Sequence, residues 1–469
     1  MHEELHKLSV SEIRAALRAG SVTSMALTKY ALDRISRYDR QLCAFITVTE
    51  ERALQDARRA DDEIAQGIDR GPLHGVPYAL KDIYATAGVV TSCNSKLLVD
   101  HVPSEDAAVE TKLRLGGGVL VGKLNTHEFA IGGPGFDLPM PPARNPWNTD
   151  HFTGGSSSGS GVALAAGFVR VALGSDTGGS IRSPACHCGV VGLKPTYGRV
   201  SRRGVYPLSY SLDHCGPMGW SVDDVASAMQ VIAGFDPLDP GSVDIPVPNF
   251  TTGLDVGVSG MRIAYARRFF SDAPDVSREV VTAMDGAAQR FAELGAKVEE
   301  IELDDFNLFK ACARVIMTAE AYAIHEQNLR ERPLDFGRYT YQRVAPAANL
   351  SASDLIQAYR MRRELTVSFN KQVFGPFDIL ITTCGMGPAP RLDEFPRNWP
   401  PPAMSVAVQT APFNVTGNPA LSMPIGFTRE GLPLGMQVVG RNFAEATVFQ
   451  AAASFERAAK DHGKRPVFL

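Results

Sequence analysis

Residues 154–185 constrain this chain more than any other segment. The stretch opens with Gly154-Gly155-Ser156-Ser157-Ser158-Gly159-Ser160-Gly161 and closes with Gly174-Ser175-Asp176-Thr177-Gly178-Gly179-Ser180-Ile181-Arg182-Ser183-Pro184-Ala185. The small-residue segment Val162–Gly167 lies between them. Such small side chains let backbone segments pack closely, and glycines let main-chain N–H groups converge on one small volume. A serine beside such amides becomes a nucleophile once a base takes its proton. The stretch points to acyl-transfer chemistry, so the rest of the chain has to supply a base and a scaffold.

The scaffold reads as α/β. With 469 residues there is room for roughly three domain equivalents or one large α/β unit. Residues 8–65 read as helical: Ser9 and Glu12 have capping-box spacing, and Met25, Leu27, Tyr30, Ala31 and Ile35 form a helical stripe. From residue 70 onward, short apolar runs alternate with Gly/Pro turns and helical patterns. Strands are expected at Gly118–Gly122, Phe168–Leu173, Met261–Ala266, Lys297–Ile301, Ile379–Thr382 and Leu434–Val439. A helix over Ser277–Leu294 completes a β-α-β unit. The alternation predicts a sheet covered by helices. Residues 1–65 are expected to form a helical segment packed on the core, and a dimerising arm, beside a main domain of 66–469.

Bulk properties exclude other classes. A net charge of -4 without a polybasic run gives no electrostatic footprint for nucleic acid. Seven cysteines, an odd number, argue against a secreted disulfide framework. Met1–Lys7 carry no apolar signal core, and no apolar run approaches the roughly 18 residues of a membrane span. The expected location is cytoplasmic, without a membrane partner.

Amide hydrolysis needs an activated nucleophile, an oxyanion site and a proton for the departing nitrogen. In Asp176–Ser180, four successive N–H groups from Thr177 to Ser180 can converge on one oxygen beside the Ser180 hydroxyl. His214 is the best-placed histidine, in Leu212-Asp213-His214-Cys215-Gly216-Pro217, but reads as a structural loop residue. A lysine serves as base if burial depresses its pKa. Lys81 ends the apolar run Val76–Leu80 and suits that role; its alternative is a salt bridge to a nearby carboxylate.

Several motifs now fall into one order. They are Gly75-Val76-Pro77 with Lys81-Asp82, Gly154–Ser157, Gly174–Arg182, Gly189-Val190-Val191-Gly192-Leu193-Lys194-Pro195-Thr196-Tyr197-Gly198-Arg199, and Gly431-Leu432-Pro433-Leu434-Gly435-Met436-Gln437. Together they resemble the amidase signature family over nearly the whole chain. The resemblance implies a large mixed β-sheet core covered on both faces by helices, and a Ser–cis-Ser–Lys triad. Carried over, Ser180 is the nucleophile, Ser156 the bridging serine with a cis peptide before it, and Lys81 the general base. The oxyanion donors fall on the backbone of Thr177, Gly178, Gly179 and Ser180. Ser157 is expected to hydrogen-bond within the relay, and Asp176 and Arg182 to pair and shape the loop. No metal or organic cofactor is implied.

The motifs also resemble the glutaminase-like subunit of tRNA-dependent amidotransferases, with two departures. That subunit typically carries Ser-Thr-Glu-Asn before the signature, where this chain has Ile131–Met140. It also has an aspartate that reads the glutamine amino group, whose place falls on Ala407 when Pro412-Phe413-Asn414 is aligned. The expectation is therefore a free-standing hydrolase of a small, largely apolar amide, such as an aryl amide or a carbamate- or urea-like analogue. The glutaminase subunit is the alternative, and intact Lys81, Ser156 and Ser180 count against a non-catalytic scaffold. Ala130, Ile131 and Gly132 are expected to supply backbone to the substrate cleft. Residues 385–403, with Phe395 and Trp399, are expected either to rim it or to be a surface connector.

Other motifs carry less. Gly155–Gly159 matches a nucleophile elbow but follows a loop, Asn145–His151, rather than a strand. Gly117–Lys123 imitates a P-loop, with Leu124 where a Ser or Thr would hold magnesium. Cys186-His187-Cys188 lacks the separated ligand pairs of a zinc site and reads as buried thiols.

Overall fold

A computed structural model describes residues 4–396, 408–459 and 463–467. Eleven strands among these residues form one mixed sheet. They are β1 (Phe45–Val48), β2 (Pro77–Lys81), β3 (Val119–Leu124), β4 (Val171–Asp176), β5 (Val191–Lys194), β6 (His214–Gly219), β7 (Arg262–Tyr265), β8 (Lys297–Glu300), β9 (Ile379–Thr383), β10 (Ala420–Phe427) and β11 (Pro433–Gly440). The order across the sheet is β1-β3-β2-β4-β6-β5-β10-β11-β9-β7-β8. β2 pairs in parallel with β3 and β4, and β7 with β8 and β9. Antiparallel pairs join these two parallel parts through the middle of the sheet.

β2, β3 and β4 are buried along their whole length. Side chains alternate between faces, so each strand feeds two cores. Tyr78, Leu80, Val171 and Leu173 join the helix Val222–Ile232 on one face. Ala79 and Ala172 meet the helix Ser158–Ala165 on the other. That second helix is buried at all eight residues and lies very close to its neighbours. A Cβ added to Gly159 would come within 2.4 Å of the Ala44 carbonyl oxygen, so the small residues of the 154–161 segment are needed to seat it.

Three expectations change. β4 covers 171–176 rather than 168–173, because its antiparallel partner β6 supplies ladder bonds as far as Asp176↔His214 and carries Gly174 and Ser175 into the strand. Tertiary pairing here outweighs weak strand propensity. The 8–65 segment is not wholly helical: Phe45–Val48, a β-branched and aromatic run, pairs with β3 at the sheet edge. β5, β6 and β10 also form where no strand was expected. The capping box at Ser9 and Glu12 is present, and the helix Arg278–Glu293 links β7 to the parallel strand β8. Among the described residues, no helix is long and apolar enough to cross a membrane.

Candidate active site

The parallel pairing of β2 with β4 sets the C-terminal end of β2 beside the C-terminal end of β4. Lys81, the last residue of β2, therefore lies against the start of the 174–182 segment. It is fully buried, and its Nζ donates to Ser156 Oγ at 2.7 Å and to Ser175 Oγ at 2.8 Å. Burial pushes Lys81 down to about 7, against the pull of the Asp213 and Asp176 carboxylates. The adjacent carboxylate does not neutralise it. Asp82 accepts from Ser92 N and Oγ and pairs with Lys123 at 3.2 Å.

The Gly155–Ser156 peptide is cis. The Ser156 carbonyl oxygen accepts from His127 N at 3.1 Å, and the His127 ring lies against Gly155 so closely that a Cβ there would sit 2.0 Å from Cε1. Burial, reinforced by the Lys81 charge, drives His127 down to about 3 and keeps it neutral. Ser157 behaves differently from its expected role. Its Oγ accepts from Ser175 N at 3.2 Å and lies 3.3 Å from the Ser175 carbonyl oxygen, while its own N–H donates to the Ser180 carbonyl at 3.2 Å. It ties the two ends of the glycine–serine stretch together through the backbone.

Asp176 and Arg182 form the frame of the loop between them. Asp176 Oδ1 accepts from Gly179 N at 2.8 Å and Arg182 Nη2 at 2.9 Å; Oδ2 accepts from Ile181 N at 3.1 Å and Arg182 Nε at 3.0 Å. Arg182, fully buried, also donates to the Thr410 carbonyl, Gln437 Oε1 and Asn414 Oδ1. Burial alone would raise the Asp176 carboxyl, but the Arg182 guanidinium holds it well below the usual carboxylate range. The Gly179 N–H is thus committed to Asp176, and the expected four-donor oxyanion site narrows. The N–H groups of Thr177, Gly178 and Ser180 have no backbone partner among the described residues, and Gly178 and Ser180 are partly exposed.

His214, weighed as a base, is buried and driven well below its ordinary value by that burial. Its Nδ1 lies 2.7 Å from the Leu212 carbonyl oxygen, an N–H donor geometry that leaves it a structural residue. Cys186 and Cys188 are buried thiols, and among the described residues no cluster of three or more His, Cys, Asp or Glu side chains is placed to hold a metal.

A cavity of about 490 Å³ opens beside the site. It is lined by Ala130 and Ser175, but mainly by segments 197–215 and 238–241, including Tyr197, Arg202, Tyr206, Tyr210 and Asp213. Of the expected substrate-contacting residues only Ala130 reaches it. Ile131 is buried, and Gly132 faces Thr340, whose Oγ1 would stand 3.1 Å from an added Cβ. Phe395 packs at 4.9 Å on Phe152 in a small buried cluster, so it is no exposed rim residue. Trp399 and Ala407 lie outside the described residues. The residue missed outright is Ser175, the second hydroxyl on Lys81. Its signal is its place in the glycine–serine stretch, but only the β2–β4 register shows that it faces the lysine.

A model of the amidase family matches residues 26–449. The chain is 40% identical to the A subunit of glutamyl-tRNA(Gln) amidotransferase from Trichlorobacter lovleyi, covering 98% of this chain and 99% of that protein. The solved structure of the same-named protein from Thermotoga maritima is 32% identical, with a TM-score of 0.84 over 99% of this chain and 98% of that one. A chain from a vestigial protein complex that reveals the origins of an s-triazine catabolic enzyme is 34% identical, with a TM-score of 0.90 over 96% of this chain and 98% of that one. Identity sustained end to end with one component of an amidotransferase overturns the expectation of a free-standing hydrolase of small apolar amides. Two local departures of sequence, at Ile131–Met140 and Ala407, weigh little against it. The expectation of a small-molecule partner alone, with nucleic acid excluded, falls too, because these relatives are subunits of a glutamyl-tRNA(Gln) amidotransferase and an overall net charge does not reveal membership of such an assembly.

Proposed function

The chain belongs to the amidase family, hydrolases of carbon–nitrogen bonds in linear amides, and on that premise we propose that it is the glutaminase-type component of a tRNA-dependent amidotransferase. The observation that carries this reading is the 40% identity over almost the full length of both chains. The site geometry supports the chemistry such a component needs. A cytoplasmic setting is part of the proposal and agrees with seven free cysteines.

In this reading the neutral Lys81 amine takes the Ser156 proton as Ser156 takes the Ser180 proton. Ser180 Oγ attacks the side-chain amide carbon of glutamine. The negative charge that forms on the carbonyl oxygen is received by backbone N–H groups of the 177–180 loop. Collapse breaks the C–N bond, the relay returns a proton to the departing nitrogen, and ammonia leaves a Ser180 acyl-enzyme. Water then gives a proton to the same relay and its hydroxyl attacks the ester, releasing glutamate and restoring Ser180. Lys81 suits this because it faces hydroxyls at 2.7 and 2.8 Å rather than a carboxylate.

The test is ammonia release from glutamine by the chain alone and with its companion subunits and glutamyl-tRNA. We expect glutamine hydrolysis that rises with the full assembly and vanishes in Ser180→Ala. Hydrolysis of other amides, with none of glutamine in the full assembly, would overturn the reading.

A further inference from the structure

Asp213 stands just before β6, where the ladder brings His214 opposite Asp176. Its carboxylate reaches three separate pieces of the site. Oδ1 accepts from Thr177 Oγ1 at 2.6 Å, at the first residue of the 177–180 loop. Oδ2 accepts from Leu208 N at 2.9 Å and Ser209 N at 3.0 Å, in the wall of the cavity. Asp213 lines that cavity together with Ser175, whose Oγ lies 2.8 Å from Lys81 Nζ. We propose that Asp213 is a positioning residue whose carboxylate holds the oxyanion loop and the cavity wall in register with Lys81 and presents its charge to that lysine. The inference rests on Lys81 acting as the base in the relay described above.

Charge and geometry both single out this residue. The ionisable groups around Lys81 are Asp213, Asp176, Cys215 and Cys93, with the neutral His127 ring also near. Asp176 is neutralised by Arg182 at 2.9 Å. Asp213 is in no ion pair among the described residues, and Arg202, across the cavity, pairs with Asp239. Burial raises the Asp213 carboxyl, while its hydrogen bonds from Thr177, Ser209 and Leu208 and the more distant Arg202 hold it down; as a carboxylate it is the leading influence that favours the Lys81 ammonium. The same carboxylate fixes where Thr177 stands, so one group sets both the proton affinity of the base and the entry to the oxyanion site.

The test is the rate at which a fluorophosphonate acylates Ser180, measured from pH 5 to 9, which requires no knowledge of the amide substrate. Removing an opposite charge disfavours the ammonium, so in Asp213→Asn the midpoint of the pH profile should fall by about one unit. The plateau rate should also drop, by about tenfold, as Thr177 loses its anchor. Asp213→Glu keeps the charge and loses the reach, and Thr177→Val keeps the charge and loses the anchor. Both should retain the wild-type midpoint with a lowered plateau. An unmoved midpoint in Asp213→Asn overturns the proposal even if the plateau falls, because that is a purely structural role. A wild-type plateau in Thr177→Val overturns it as well, and that variant with Asp213→Glu decides the matter should Asp213→Asn not fold. A wild-type profile that is flat and indifferent to Lys81→Met is a different failure, that of the relay itself.

Discussion

Two buried lysines sit on neighbouring strands, and their surroundings make them different chemical objects. Lys81 ends β2, and Lys123 lies on β3, where it is paired with Leu80. Both are fully buried, and burial lowers the proton affinity of both. Lys123 has a carboxylate, Asp82, at 3.2 Å, and donates to the Tyr84 carbonyl and Thr91 Oγ1. Among the described residues, Lys81 has only the hydroxyls of Ser156 and Ser175 in hydrogen-bond contact. A buried ammonium beside a carboxylate is a structural tie, and breaking it leaves an uncompensated charge. A buried amine facing hydroxyls gives up its proton near neutrality and can act as a base. Lys81 and Asp82 are consecutive, but Lys81 ends β2 and Asp82 begins the turn after it, where Ser92 and Lys123 engage its carboxylate. Two consecutive residues thus stand in different surroundings, a lysine facing hydroxyls and a carboxylate tied to Ser92 and Lys123.

Removing each lysine in turn should damage different properties of the protein. Ser180→Ala should abolish fluorophosphonate labelling and amide hydrolysis, and Lys81→Met should slow labelling by about 100- to 10,000-fold with the fold intact. Lys123→Met should do the reverse: Asp82 is left buried and unpaired, and urea denaturation should show a loss of about 3–5 kcal/mol. Equal kinetic damage from both lysine variants at unchanged stability would end the distinction. Asp176→Ala should cost a similar amount of stability, about 3–5 kcal/mol, because it strands Arg182.

Smaller effects probe the frame around the base. Gly179 has φ of 127°, and an added Cβ would sit 2.2 Å from Thr410 Oγ1. Gly179→Ala should cost about 1–3 kcal/mol in denaturation and slow acylation, since its N–H holds the loop to Asp176. Ser175→Ala should have the smallest effect, a loss of about tenfold or less in labelling rate. It removes an acceptor that favours the ammonium, so the pH midpoint should move slightly downward.

Much of this is legible in the residues. Lys81, Ser156 and Ser180 stand out because amide chemistry needs them and because the motifs around them are long and ordered. The Asp176–Arg182 pair is visible as two charges flanking a glycine turn. What escapes depends on register and on distant segments. Ser175 looks like one serine among many until β2 and β4 are aligned. The Gly179 N–H looks available until the Asp176 carboxylate folds back on it. The cavity wall comes largely from residues 197–215 and 238–241, brought in by β6 and by a loop with no periodicity, whereas the residue pattern points to 130–140 and 385–403. The likeness to a subunit of an assembly escapes because assembly is not written into the net charge.

The proposed relay requires Lys81 to be a neutral amine at working pH. NMR titration of protein labelled with 13Cε-lysine, with Lys81→Arg to assign the resonance, measures this directly. A Lys81 midpoint near 7, well separated from the exposed lysines, is the predicted result. A Lys81 signal that stays protonated up to the ordinary lysine range near 10.4 would contradict the account.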